Sequence, residues 1–445
     1  MVKCARSGIL SVVAAQGTVL TAHRMLVIAV PWLVLTSTGS AAQTGLVVMC
    51  QAAPYVAAQV LAGPLLDRVR PQRVSTIGDS ISAAAMSVLA VSGTPPVWLL
   101  MTMLAAVGCA DGPAVAAKRV LLRQVTQDAG QPFVRGTSMA TFVERGATTG
   151  GPALAGLLIT THGGSRVLWL SAGLIAVAAL IAPSIRAKLA RDNEDGHYWR
   201  RLRAGSTFLY HERSLRSLVA MFTVTNLLDQ ALLTILLPVW ACVGGHSAAD
   251  IGLTISAFGG AATGAALVAS WMAEKLPRQA VYLSGFVATV ARFIVLAIDA
   301  PLPVVVLVFL TAGLGSGIGN PIVEAVQLEL IPETLCGRVQ ALIAAWAWLG
   351  IPLGGLVGAA LLDAGLGLAL WLSAAAYLAA VLYPGWRVAW NPTVMPRAIS
   401  QAVRLDDGGP CGSSPCSLPK QVQHDTKERD EVRRDQASEA VGGLR

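Results

Sequence analysis

Residues 217–241 read SLVAMFTVTNLLDQALLTILLPVWA. The run is apolar for 25 residues, and a helix rising about 1.5 Å per residue crosses a hydrocarbon layer of roughly 30 Å at that length. One carboxylate, Asp229, interrupts it near the middle. A lone Asp at the centre of a spanning helix costs about 2.5–3.5 kcal/mol on the insertion scale, so it belongs against a polar cavity or a partner and not against lipid. The helix therefore reads as the wall of a pathway through a membrane.

The rest of the 445-residue chain agrees. Hydrophobic residues make up 54% and charged residues 13%, with a mean hydropathy of +0.61, whereas ordinary soluble domains carry roughly a quarter charged residues. An all-α membrane protein with many crossings is expected. The formal net charge of +8 does not point to nucleic acid, because the basic residues are spread over short loops instead of gathered on one face. Seven cysteines, at 4, 50, 109, 242, 336, 411 and 416, show no metal-ligand spacing and fall mostly in apolar runs. They read as packing residues, and no metal or other cofactor is implied.

The N-terminus, MVKCARSGILSVVAAQG, has the outline of a signal peptide, but cleavage after Ala15 would leave too short an apolar remnant before Thr36-Ser37-Thr38-Gly39. An uncleaved first span over residues 9–36 is expected, interrupted at mid-depth by His23 and Arg24. A second span follows, then a basic tight turn, GPLLDRVRPQRV at 63–74. Uncharged runs separated by turn residues place further spans near 74–93, 97–118, 137–160, 166–184, 216–241, 250–273, 279–299, 302–325, 338–362 and 364–386. The expected total is twelve.

Alternate loops carry Arg68, Arg70, Arg73, Lys118, Arg119, Arg123, Arg135, Lys275, Arg278 and Arg338, while the opposite set offers essentially Arg166. The asymmetry puts both termini in the cytoplasm. The basic linker 185–215 divides the chain into six-span units, 1–184 and 216–386, followed by a polar tail, 387–445, expected to be disordered. The units repeat at one offset, 207: Pro31 and Pro238, Asp67-Arg68 and Glu274-Lys275, Gly130 and Gly337. Three matches argue for duplicated, pseudo-symmetric six-helix bundles. At that offset Ala22 aligns with Asp229 and His23 with Gln230, so the polar interruptions of two matching helices are expected to face each other across a central cavity. A local packing role for His23 and Arg24 is the alternative.

These features together resemble the major facilitator superfamily, and more closely its bacterial efflux branch that includes enterobactin and macrolide exporters. The residues that carry the resemblance are Gly63, Asp67, Arg68 and Arg73 in the turn after the second span, TGGPALAG at 149–156, HERSLRSL at 211–218, and IPETLCGRVQALIAAWAWLGIPLGG at 331–355. The resemblance implies that Gly63, Asp67, Arg68 and Arg73, with Glu274 and Lys275 in the second half, form a cytoplasmic gate; a merely topogenic basic loop is the other reading. It also implies that the fifth-span series Gly146, Gly150, Gly151, Pro152 and Gly156 accompanies proton-driven export. Physically, these residues clear one helix face for close approach and bending.

The expected function is alternating-access export of an amphipathic small molecule by a monomer in the cell membrane, with protons and lipid as its other partners. Asp229, His23, Arg24, Asp111, Asn226 and Gln230 are the candidates for proton coupling and the substrate cavity, with Trp32, Trp240, Trp346 and Trp348 as further contacts. Asp79 and Glu144 are expected to pair with the basic loops, and Arg292 to make a structural ion pair. AGLGSGIGNP at 312–321 lacks the strand and lysine of a phosphate loop and reads as a packing segment. An importer, a siderophore or lipid translocator, and a regulator acting through its tail remain as alternatives. No nucleophile–base or metal-ligand cluster suggests an enzyme.

Overall fold

The computed structural model describes residues 2–93, 95–131, 133–185, 209–272, 278–331 and 336–389. Most of the linker, the tail beyond 389, and the gate residues Glu274 and Lys275 lie outside the described residues.

The described chain is helical. Helix α1 (Val2–Thr38) and α2 (Ala41–Val60) are followed by a short α3 (Ala62–Arg68). Then come α4 (Pro71–Val91), α5 (Val97–Asp128), α6 (Phe133–His162) and α7 (Gly164–Ile181). After the linker, α8 (Arg213–Ala231) passes through one π turn (Leu232–Leu236) into α9 (Leu237–Val243). The last five are α10 (Ala248–Met272), α11 (Arg278–Ala297), α12 (Leu302–Leu330), α13 (Cys336–Leu362) and α14 (Leu366–Ala389).

Among the described residues, nine helices are long and apolar enough to cross a membrane, with 284–297 as a shorter apolar helix. Helix α2 is not among the nine because Gln43, Gln51 and Gln59 dilute it; α6 carries Glu144 and Arg145 mid-helix.

Three expectations need correction. The turn at 63–74 contains most of the helix α3, which continues from Ala62 to Arg68 before Pro71 starts the next helix. Lys118, Arg119 and Arg123 are not loop residues but lie on α5, which continues to Asp128. Cys109 and Cys242 are exposed rather than packed, while Cys50 is partly buried; all three are free thiols.

The packing has a regular plan. In the first half α1 packs on α6 and α7, α2 on α5, and α4 on α5 and α7. In the second half α8 packs on α13 and α14, α10 on α12, and α11 on α12 and α14. Between the halves the pairs are α6 with α10 and α2 with α13.

Those contacts between halves depend on missing side chains. A Cβ on Gly45 of α2 would stand 2.5 Å from the Gly355 carbonyl oxygen of α13, and one on Gly156 of α6 would stand 2.5 Å from the Ala248 carbonyl oxygen of α10. All four residues lie within about two turns of the helix ends at 38–41, 162–164, 243–248 and 362–366. The halves therefore meet at the end away from the basic loops. In addition, the Ala249 N–H at the start of α10 donates to Thr160 Oγ1 of α6 at 3.1 Å, satisfying one of the backbone donors that a helix N-terminus leaves unpaired.

Candidate functional site

Helix α8 brings Asp229 to the wall of a cavity of about 570 Å³. Phe222, Thr225 and Asn226 precede it on the same wall; α13 contributes Ile343, Ala344, Ala347 and Trp348, and α6 contributes Arg145. The Asn226 side-chain amide donates to the Ala347 carbonyl at 3.0 Å, and the Thr223 hydroxyl to the Trp346 carbonyl at 3.0 Å, which ties α8 to α13 along this seam.

Asp229 is not alone. Arg292 of α11 donates from Nη2 to Asp229 Oδ1 at 2.5 Å, and from Nε to the Thr289 carbonyl at 3.1 Å. The guanidinium also lies over the rings of Phe258, Phe309 and Phe293, at 4.8, 5.8 and 5.9 Å from their centroids. The Asp229 side chain is 34% exposed and that of Arg292 only 3%. The arginine thus stands behind the carboxylate, enclosed by aromatic faces that suit a cation. Directly after this residue, α8 opens into the π turn and then meets Pro238, which lacks the N–H that would bond back one turn. Such turns often mark functional positions.

His23 goes elsewhere. Its Nε2 stands 2.7 Å from Asp111 Oδ2 of α5, without the alignment of a hydrogen bond, and the Ser82 hydroxyl of α4 donates to Asp111 Oδ1 at 2.6 Å. Nearer the basic end, Lys118 Nζ of α5 meets Asp79 Oδ1 of α4 at 2.6 Å, with the Ser75 hydroxyl on the other carboxylate oxygen at 3.2 Å. Asp79 and Lys118 are both buried. The first half therefore holds its own polar chain, and the expected meeting of His23 with Asp229 is corrected: each is paired within its own half. The 207-residue offset aligned their backbones, but the pairing is set by which neighbouring helix supplies an opposite charge, and that differs between the halves.

Other candidates divide likewise. Gln230 turns its Cβ toward Gly354 of α13, and Arg24 turns its Cβ toward Gly151 of α6, so both serve helix crossings. Trp240 is buried, donates from Nε1 to Asp299 Oδ1 at 3.1 Å and stacks on His246 at 4.5 Å. Trp32 packs against the core, and Trp346 is exposed, lining a separate pocket with Tyr210, Arg216 and Thr223. Of the four tryptophans, Trp348 lines the cavity.

The α6 glycines do not form one packing face. Gly151 meets α1, and Pro152 and Gly156 meet α10, while Gly146 and Gly150 face open space. Successive helical residues turn by about 100°, so neighbours in this series point to different partners. Of the proposed gate, Gly63, Arg68 and Arg73 are exposed, and the Asp67 side chain lies outside the described residues.

Sequence reading noted Arg292 but not its partner, and it missed Glu324, which also lines the cavity. A helical projection of α12 would have found the latter: Ser316, Asn320, Glu324 and Gln327 share one face.

The Major Facilitator Superfamily model matches residues 12–243 and 219–404. The second match starts 207 residues after the first. The chain is 27% identical to the multidrug efflux pump Tap of Mycolicibacterium fortuitum over 374 residues, 82% of this chain and 91% of that one. It is 28% identical to the multidrug efflux pump Tap of Mycobacterium bovis (strain BCG / Pasteur 1173P2) over 356 residues, 76% and 83% of the two chains. Among solved structures, the nucleoside transporter NupG superposes with a TM-score of 0.71 at 14% identity, covering 85% of this chain and 98% of that one. A bacterial homolog of the human lysosomal transporter Spinster gives 0.63 at 12%, covering 90% and 96%. At these identities the structures speak for the fold. Family match, apolar helices and fold agree, and the chain belongs to the Major Facilitator Superfamily as a multi-pass membrane transporter, not an enzyme.

Proposed function

We propose that the chain exports amphipathic small molecules in exchange for protons, by alternating access between two six-helix units of a twelve-span monomer with both termini in the cytoplasm. The observation that carries this reading is Asp229: a cavity-facing carboxylate whose counter-ion is buried behind it. The names of the Tap relatives support export of drugs. The recurrence of the principal helix pairings of the first half in the second, and the restart of the family match at residue 219, support the duplicated units.

With the basic loops inside, this arrangement is inward-facing. The halves touch at the outer end, and the cavity residues lie toward the basic end. Alternating access then requires the α6–α10 and α2–α13 seams to part while the basic ends close.

A proton reaching Asp229 removes the counter-charge of Arg292. The guanidinium nevertheless keeps the Thr289 carbonyl and three aromatic faces. The carboxylate can therefore exchange a proton while the arginine stays in place, which is what a coupling site requires. A transmembrane potential supplies about 2.3 kcal/mol per charge per 100 mV, enough for modest accumulation. His23, against Asp111, is the second candidate, because an imidazole can both take up and release a proton.

The test compares drug accumulation in cells carrying the native chain, Asp229→Asn or His23→Gln, at matched expression. Lost efflux in Asp229→Asn is expected. Unchanged efflux in both variants removes the two residues from the mechanism.

A further inference from the structure

We infer that the cavity holds a subsite for lipophilic organic cations on α12, centred on Glu324, and that this subsite is distinct from the Asp229–Arg292 pair. The inference rests on the proposed exporter reading and names its substrate class.

Helix α12 is apolar over most of its length, and its glycines use up two of its faces. Gly313 and Gly317 lie against the backbone of α10 at Phe258 and Ala262, and Gly315 lies against Gly285 of α11. The remaining face carries Ser316, Asn320, Glu324 and Gln327, all lining the cavity. Four polar residues at intervals of four, four and three share this face of a mostly apolar helix, the Asn320 amide donating to Ser316 Oγ at 3.1 Å. Their common orientation is what a ligand site needs.

Two of them are unsatisfied in a way that specifies the ligand. Among the described residues no hydrogen bond or ion pair engages Glu324, which is exposed on the cavity wall one turn beyond the apolar span 302–321. A carboxylate presented to the cavity without a counter-ion is open to a positive group on a ligand. Gln327 is 95% buried and its Nε2 finds no acceptor, so the same face also offers a free donor to cargo that carries an acceptor. Around them stand Phe222, Phe286, Trp348 and Tyr377. Aromatic faces of this kind attract cations and cover apolar substituents. Asp229 does not serve as the cation's anchor, because Arg292 already neutralises it. Arg145 reaches the cavity from α6 in the other half, so the positive group is steered to the α12 side.

The reading separates two tasks. Asp229 exchanges protons; Glu324 distinguishes cationic from neutral cargo. Purified full-length protein is titrated with tetraphenylphosphonium, following tryptophan fluorescence with Trp348→Phe as the control for the reporting ring. The same cation and a neutral amphipathic dye are then followed in everted vesicles. Glu324→Gln is expected to weaken tetraphenylphosphonium binding about tenfold or more and to abolish its transport, while transport of the neutral dye persists. Glu324→Asp is expected to recover part of the binding.

Equal binding and transport of the cation by the native chain and Glu324→Gln would overturn the subsite and leave the exporter reading standing. A native chain that moves the dye but neither binds nor moves the cation would do the same. A native chain that moves neither would overturn both. Loss of both cargoes in Glu324→Gln, with cation binding intact, would assign Glu324 to coupling and also overturn the subsite.

Discussion

Asp229 and Arg292 differ tenfold in side-chain exposure, 34% against 3%, and that difference predicts unequal costs of removal. Asp229→Ala strands a guanidinium that water cannot reach, whereas Arg292→Met leaves a carboxylate that the cavity can hydrate. Breaking a fully buried pair costs about 3–5 kcal/mol; here the larger share falls on the aspartate variant. Thermal melts in detergent are expected to show a lower midpoint for Asp229→Ala than for Arg292→Met, with the double variant above the first. Equal midpoints would mean that the pair is hydrated from both sides. Asp79 and Lys118 are a contrasting case, since both are buried and neither is among the residues that line the cavity. Asp79→Asn is expected to lower folded yield by leaving Lys118 unpaired, and Asp79→Leu with Lys118→Met to restore much of it, as gel-filtration profiles would show. At this scale the sequence marked the charged residues inside spans but not who pairs with whom. Asp229 and Arg292 are 63 positions apart on helices joined by packing, and nothing in local periodicity reports that distance.

The elements were more legible, because glycine, proline and charge punctuate a membrane chain in ways backbone geometry requires. Pro71 starts α4, Gly39 turns the chain between α1 and α2 at φ +66°, and the alternating glycines of α12 announced close packing that the structure shows. Helix ends at the basic side were read too short, since α5 and α12 run past the apolar segment into charged sequence that still forms helix. Seams between halves were not legible at all; a Gly-rich face says that something approaches, not what. The α6–α10 seam yields a prediction of its own. In a background without the seven native cysteines, Thr160→Cys with Ala249→Cys is expected to crosslink under oxidation and to stop transport reversibly, because it fastens the closed end. Transport that continues in the crosslinked protein would show that this seam need not part.

At the scale of the whole molecule, two packing plans of the same form face each other through reciprocal seams, α6 with α10 and α2 with α13. The principal pairings recur in the order that a repeat at offset 207 would produce, since repeated helices keep their neighbours even where side chains diverge. The repeat did not anticipate that the polar sites diverge: the first half holds His23, Asp111 and Ser82, the second Asp229 and Arg292. Under the proposed function, that asymmetry gives the two halves different tasks, with proton exchange placed at Asp229. The most direct measurement of this claim is proton flux in proteoliposomes: purified protein is reconstituted with a pH-sensitive dye inside, and a transported drug is added at zero potential. The account predicts drug-dependent proton movement by the native chain and none by Asp229→Asn that still binds the drug. Drug movement without proton movement in the native chain, or proton movement unaltered in Asp229→Asn, would contradict it.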